Sequence, residues 1–259
     1  MDIQDVLEIF DREQRKEITY PGMRREETDH VIRMVPDQLQ EGMIVYSHLP
    51  NKKMKEIIKE QIGYFSKLGL DFEWKAYRHD QPEGLNTILA EMGFVVETPD
   101  SVMVYDINDP NPFLSIEAVE NIRRVTSAEE VAHILSVQQQ VWDEALPSVQ
   151  TYLQLQMEKT PDLISIFAVY EEDTPVSSAW ITYHPGSHFA GLWGGTTLPD
   201  FRNRGYYSSL LKVRIQEAKD RGFRYVTVDA SPMSRPILEN FGFRCITHAW
   251  RCVWRVNHN

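Results

Sequence analysis

The chain has 259 residues, 42% hydrophobic and 25% charged, and its 38 acidic and 27 basic residues leave a formal net charge of −11. That length suggests about two domains with cores large enough to need no disulfide or metal staple, and the acidic balance argues against a nucleic-acid partner, whose phosphates must be met by cations. Two cysteines, Cys245 and Cys252, exclude a disulfide scaffold; no apolar run nears the ~18 residues of a membrane span; and Met1 to Asp5 lack signal-peptide character, so a cytoplasmic protein with no membrane partner is expected.

In chain order, the first strong signal is an amphipathic helix over residues 54–68 that stops at Gly69. Before it stands Ser47-His48-Leu49-Pro50-Asn51-Lys52-Lys53, where Pro50-Asn51 is read as the helix start. A strand-like run follows at 72–77. Next come a short helix at 86–92, with Gly93 at its left-handed end, and an alternating strand at 102–107. Asp109-Pro110-Asn111-Pro112 then breaks any regular element. The domain boundary is placed there, giving 1–112 and 113–259.

The second half opens on a strand at 121–125. Ser127 and Glu130 have capping-box spacing and begin a helix running to about Trp142, with a second helix at 148–158. Three strand-like runs follow, at 163–170, 176–183 and 189–197, with turns at Glu171-Glu172-Asp173 and His184-Pro185-Gly186. Leu198 to Gly205 lead into a helix with Leu211, Ile215 and Ala218 on one face. A strand at 225–229, a short helix ending at Gly242, and a strand at 250–255 finish the chain. The order helix, strand, helix, strand thus occurs in both halves, with Ile88-Leu89 and Gly93-Phe94 answering Ile237-Leu238 and Gly242-Phe243. One fold present twice is the expectation. It is a mixed-sheet α/β fold, without a G-x-G-x-x-G or phosphate-loop sequence.

Chemistry concentrates in Arg202-Asn203-Arg204-Gly205-Tyr206-Tyr207-Ser208, between a strand and a helix start. A helix N-terminus presents unpaired N–H groups and the positive end of the dipole, which suit phosphate oxygens. Arg202 and Arg204 add charge, and Gly205 permits close approach of the backbone. This is the make-up of a diphosphate cradle. An ordinary polar loop with solvated arginines has the same composition.

Arg202-x-x-Gly205, the Thr197-Leu198-Pro199 before it and the later Gly242-Phe243 resemble the signatures of the GCN5-related N-acetyltransferase (GNAT) superfamily. That family carries Arg/Gln-x-x-Gly-x-Gly/Ala after its fourth strand. The resemblance covers about 118–259, and more weakly about 30–108. It implies the acyl-CoA N-acyltransferase fold in two GNAT-like domains, the first degenerate because no Arg-x-x-Gly stands before its helix. In that layout the first half does not bind the coenzyme and helps to shape the acceptor pocket.

The implied activity is acetyl transfer from acetyl-coenzyme A to a primary amine of a small molecule or peptide, by direct attack and without a metal. Arg202, Asn203, Arg204, Gly205, Tyr206, Tyr207 and Ser208 would hold the pyrophosphate. Thr196, Thr197 and Leu198 would pair with the pantetheine arm, and Gly191, Gly194 and Gly195 would allow a strand bulge. Tyr207 departs from the signature's second small residue, and its ring is expected to turn outward. Leu238 replaces the family's frequent tyrosine acid, and no carboxylate lies between Phe189 and Leu198. Ser231 and Ser234 are therefore the catalytic candidates near the thiol, with a helix N-cap the plainer role for Ser234. Glu144, Tyr183 and His184 are candidates around the acceptor.

The missing acid and base also support an alternative, a non-catalytic acyl-CoA-binding or regulatory module. An aminoacyl-tRNA donor is opposed by the net charge. Cys245, His248 and Cys252 lack zinc spacing. Trp250 and Trp254 share one face of the last strand, a candidate homodimer contact.

Overall fold

The computed structural model describes residues 1–37, 41–109, 111–115, 118–142 and 147–256. Pro110 and Glu144 lie outside the described residues. Along the first half run α1 (Ile3–Phe10), a π-helical turn (Asp11–Lys16), β1 (Met23–Glu27), β2 (Val31–Pro36), β3 (Glu41–Ser47), α2 (Met54–Leu68), β4 (Asp71–Tyr77), α3 (Leu85–Glu91), β5 (Val95–Val96) and β6 (Asp100–Asp106). The second half holds β7 (Ile122–Arg124), α4 (Ala128–Trp142), α5 (Pro147–Lys159), β8 (Ile164–Glu171), β9 (Thr174–Tyr183), β10 (Phe189–Thr197), α6 (Tyr206–Asp220), β11 (Tyr225–Ala230), α7 (Arg235–Asn240) and β12 (Arg244–Trp254).

The chain folds into two compact units. The first comprises Met1–Met103, Asp229–Asn240 and Arg244–Asn259, and the second Val104–Val228 and Phe241–Phe243. The end of the chain therefore packs with its beginning.

In the first unit, β1, β2 and β3 pair antiparallel, β3 pairs parallel with β4, and β4 pairs antiparallel with β12 from Tyr77–Ala249 to Phe72–Trp254. Successive side chains of a strand face opposite ways, so this sheet has two apolar faces. Val31, Val35, Ile44, Phe72, Trp74 and Cys252 pack with Ile57, Ile58 and Phe65 of α2 and with Leu85 and Leu89 of α3. Ile32, Met34 and Val45, on the other face, pack with Ile18 and Tyr20. Each such fully buried side chain contributes about 1.5–3 kcal/mol. The helix expected at Pro50-Asn51 begins later, at Met54, because Pro50 to Lys53 close a hydrogen-bonded turn first. Gly69 ends it with φ 67°, as expected.

In the second unit, β7, β8, β9 and β10 pair antiparallel in that order, and β10 pairs parallel with β11. Ser127 and Glu130 form the expected capping box, with the Glu130 N–H donating to Ser127 Oγ (3.2 Å) and the Ser127 N–H to Glu130 Oε2 (3.1 Å). Helix α4 then packs Val131, Ile134 and Leu135 against Ile164, Ile166, Ala168 and Trp180 of β8 and β9. Ser178 and Trp180 of β9 meet α4, whereas Tyr183 meets Arg221 just beyond α6. By strand alternation α4 and α6 cover opposite faces of this sheet.

Candidate functional site

The ladder between β10 and β11 is short. It pairs Phe189 with Tyr225, Ala190 with Val226 and Gly191 with Thr227, and then ends. Strand β10 continues to Thr197 on β9 alone, with Thr196 opposite Ser178 and Thr197 opposite Ser177. Among the described residues, the β11-facing edge of β10 is thus unpaired over its second half. Its register with β9 shifts between Trp193 and Thr196, a bulge at the glycines where one was expected. Gly194 has φ 60°, and a Cβ there would lie 1.8 Å from the Trp180 ring. Only glycine fits that backbone.

Beyond β10 the chain makes a single 3-10 turn over Pro199–Phe201 and reaches α6 through two left-handed residues, Asn203 (φ 63°) and Gly205 (φ 80°). Gly205 is the N-cap, and no side chain caps the helix. The opening N–H groups of α6 are therefore left to solvent or a ligand. A Cβ on Gly205 would find nothing nearer than Ser208 Oγ at 3.9 Å, so the cradle is open. Arg202 and Arg204 are exposed beside it. Arg204 rests its guanidinium 4.8 Å from the Phe201 ring centroid and donates to the Asp200 carbonyl, while Arg202 Nε donates to the Thr197 carbonyl (3.3 Å). Neither arginine is tied to a carboxylate among the described residues. Ser208 Oγ turns back to the Gly205 carbonyl (2.8 Å).

Two tyrosines follow. Tyr206 is buried and its hydroxyl bonds Glu171. The Tyr207 ring does not turn outward as expected. It lies half-buried beneath β10, where a Cβ on Gly195 would come within 2.9 Å of it. The physical reason is complementary. Gly195 has no side chain, so the ring of the oversized signature residue fills that space and leaves the loop surface free. Burial raises the pKa of its phenol.

The three strand positions differ in what they still offer. The Leu198 N–H already donates to the Val176 carbonyl (2.9 Å). Thr196 O accepts from Ser177 Oγ (2.8 Å), and the Thr197 hydroxyl also meets Ser177 Oγ (2.8 Å). The Thr196 backbone faces Ser178 in the β9 ladder, so its carbonyl is used there, whereas the Thr197 carbonyl, which accepts from Arg202 Nε, has a second lone pair and can accept once more.

Ser231 and Ser234 belong to the first unit, where their hydroxyls meet at 3.2 Å and the Ser234 N–H donates to Ser231 Oγ (3.3 Å) at the start of α7. That is a local turn around a helix start. Leu238 is buried in α7, with 1% of its surface exposed. Tyr183 pairs with Ala190, at the opposite end of β10 from Thr197. At ~3.3 Å per residue it lies roughly 20 Å from the cradle, as does His184 beside it. The Tyr183 hydroxyl is buried near Ser165 and Glu217, and burial pushes its pKa up and that of His184 down to about 4.

Two side chains that sequence reading missed hold the bulge. Gln138 of α4 donates to the Gly194 carbonyl (2.6 Å) and to Ser178 Oγ (3.0 Å), and accepts from Thr196 Oγ1 (3.0 Å). Arg214 of α6 donates to the carbonyls of Leu210 (3.0 Å), Trp180 (3.2 Å) and Trp193 (3.3 Å). Both are nearly inaccessible, at 3% and 2%. Each sits on the apolar stripe of its helix, Gln138 after Val131, Ile134 and Leu135, Arg214 between Leu211 and Ile215. A polar residue breaking an apolar period was the available signal.

The comparisons agree with this geometry. Residues 128–243 match the model of the acetyltransferase (GNAT) family. The chain is similar to a GCN5-related N-acetyltransferase from Kribbella flavida, with 14% identity, 97% of this chain and 93% of that one covered, and a TM-score of 0.67. A functionally unknown conserved protein from Staphylococcus epidermidis gives 14% identity, 93% and 97% coverage and a TM-score of 0.65. A tandem GNAT protein from the clavulanic acid biosynthesis pathway gives 10% identity, 94% and 86% coverage and a TM-score of 0.61. No curated protein matches the chain in sequence. Residues 128–243, which carry the cradle, thus match the acetyltransferase (GNAT) family, and the fold along nearly the whole chain is similar to that of solved proteins that include a tandem GNAT.

Proposed function

We propose that the protein is an N-acetyltransferase that uses acetyl-coenzyme A as donor and a primary amine of a small molecule or peptide as acceptor. One observation carries the reading: the unpaired edge of β10 and the uncapped, glycine-opened start of α6 lie at the same end of one strand. A pyrophosphate suits the N–H groups of Tyr206, Tyr207 and Ser208 with Arg202 and Arg204 alongside, and an extended amide-bearing arm suits the free edge. By chain position, 113–259 would be the acetyltransferase domain and 1–112 its degenerate copy. A cytoplasmic enzyme acting on a cationic amine agrees with the acidic composition.

In the reaction the lone pair of the neutral amine forms a bond to the thioester carbonyl carbon. The C–S bond then breaks, the thiolate leaves and takes up a proton, and the amine nitrogen loses one. Positioning can supply much of the rate. Ser231 and Ser234 are the nearest counterparts of the family's polar residues, but they are occupied with each other, which makes them weak proton donors. Leu238 removes the phenol that would have served.

The test is calorimetric titration with coenzyme A, followed by thiol release from acetyl-coenzyme A across an amine panel. Binding with turnover on at least one amine supports the enzyme. The buried Leu238 and the carboxylate-free β10 favour a second reading, a non-catalytic coenzyme-binding module, and binding without turnover on any amine selects it. Absence of binding rejects both.

A further inference from the structure

Resting on the coenzyme reading, we propose that Gln138 and Arg214 are positioning residues that clamp the β10 bulge from opposite faces of the sheet and set the backbone the coenzyme arm meets. Their contacts bracket the irregularity. Trp193–Trp180 is the last regular pair before it and Thr196–Ser178 the first after it. Arg214 bonds both carbonyls of the first pair. Gln138 bonds both side chains of the second and the Gly194 carbonyl within the bulge.

The chemistry of each residue suits that task. The Gln138 amide uses both donors and its oxygen, so it is fixed by the bulge as much as it fixes it. Arg214 is a buried cation with no carboxylate within ion-pair distance among the described residues. Such burial is costly, and an apolar residue of similar size would fill the space at less expense to stability. Burial pushes the Arg214 pKa down to about 10. What the guanidinium adds is geometry, several donors in one rigid plane.

The consequence reaches the open edge. In a planar trans peptide the N–H points opposite to the carbonyl. With the Trp193 carbonyl held by Arg214, the Gly194 N–H points away from Arg214. With the Gly194 carbonyl held by Gln138, the Gly195 N–H points away from Gln138. The clamps therefore aim two amides of a strand segment whose β11 side is unpaired. Hydrogen bonding at the carbonyls also strengthens those amides as donors.

Coenzyme A titrated by calorimetry into full-length protein separates positioning from mere folding. Loss of folded protein lowers the number of sites and leaves the affinity of the rest unchanged, whereas a misaimed bulge weakens affinity at normal site number. Gln138→Leu and the isosteric Gln138→Glu, which cannot donate to Gly194, are each expected to raise Kd at least tenfold with site number near one. Arg214→Lys is expected to act in the same direction. Gln156→Leu is the control, a buried glutamine bonded to Thr160 and away from the bulge, and is expected to bind like wild type. If Gln138→Leu does not fold, Gln138→Glu carries the test. Unchanged Kd in the folded Gln138 and Arg214 variants overturns the clamp and leaves the coenzyme reading standing. Failure of wild type to bind coenzyme A overturns both.

Discussion

Two glycines of the site share a left-handed backbone and differ in their surroundings, which makes a matched experiment. Gly194 has φ 60° and Gly205 φ 80°. Alanine at either pays the left-handed penalty, about 1–2 kcal/mol. At Gly205 nothing else is added, because the nearest atom to the new methyl is 3.9 Å away. At Gly194 the methyl would stand 1.8 Å from Cζ3 of Trp180, a ring that packs in the α4–β8–β9 core and is itself 9% exposed. Forcing that ring aside adds the cost of overpacking, about 1–3 kcal/mol. Gly194→Ala should therefore lose about 2–5 kcal/mol and Gly205→Ala about 1–2. For a chain of this size that is a fall in Tm of roughly 5–15 °C against roughly 2–6 °C. Differential scanning calorimetry of the two full-length variants measures the difference. Equal losses would refute the reasoning, since they would mean that the Trp180 ring and the bulge yield freely to each other.

The sequence disclosed local order well and pairing poorly, for a physical reason. The 3.6-residue period marked α2 and α6, the Ser127–Glu130 spacing marked the start of α4, and Gly93 and Gly242 adopt the left-handed angles of 99° and 90° expected of helix ends. Each signal is carried by neighbours in the chain. The partner of β12 is not. Its alternation marks a strand, but nothing in Trp250 to Trp254 says that it lies against β4, far away in sequence. Near the N-terminus β1 reads Met-Arg-Arg-Glu-Glu, and beside its backbone ladder the cross-strand Arg33–Glu26 ion pair (2.8 Å) ties it to β2, so no apolar alternation announced it. At the site, the cradle loop was legible because glycine and arginine types are intrinsic to it. The Tyr207 orientation was not, since it depends on an absent side chain across the fold at Gly195.

The Arg202→Ala, Arg204→Ala double variant should bind coenzyme A roughly tenfold more weakly, from about 1.5 kcal/mol of charge-assisted bonding. The loss should shrink as salt screens the exposed charges; equal affinity at low and physiological salt would rule out charge assistance. His184, pushed by burial to about 4 from its usual 6.5, binds a proton more readily unfolded than folded. Its contribution is complete above pH 6.5 and is lost as pH falls toward 4, by up to about 3 kcal/mol; urea unfolding of His184→Gln at pH 7 and 4.5 should show a smaller acid loss than wild type. The last prediction concerns β12, where Arg251 bonds Glu41 (2.8 Å), Glu73 (2.9 Å) and Glu97 (2.7 Å) at once. Glu41 and Glu97 stay well exposed, but Glu73 is only 14% accessible, and burial already raises its pKa against the pull of Lys75 and Arg251. Arg251→Met keeps the packing stem and removes one of those cations, so the cost should be that of a weakened buried pair, about 3–5 kcal/mol at most. The Glu73 pKa then rises further, and a carboxyl whose folded pKa is raised loses stability as pH rises through that value. The deficit of Arg251→Met should therefore be largest near pH 8 and shrink toward pH 5. A deficit that does not change with pH would mean that Arg251 serves β12 through its stem and not through its charge.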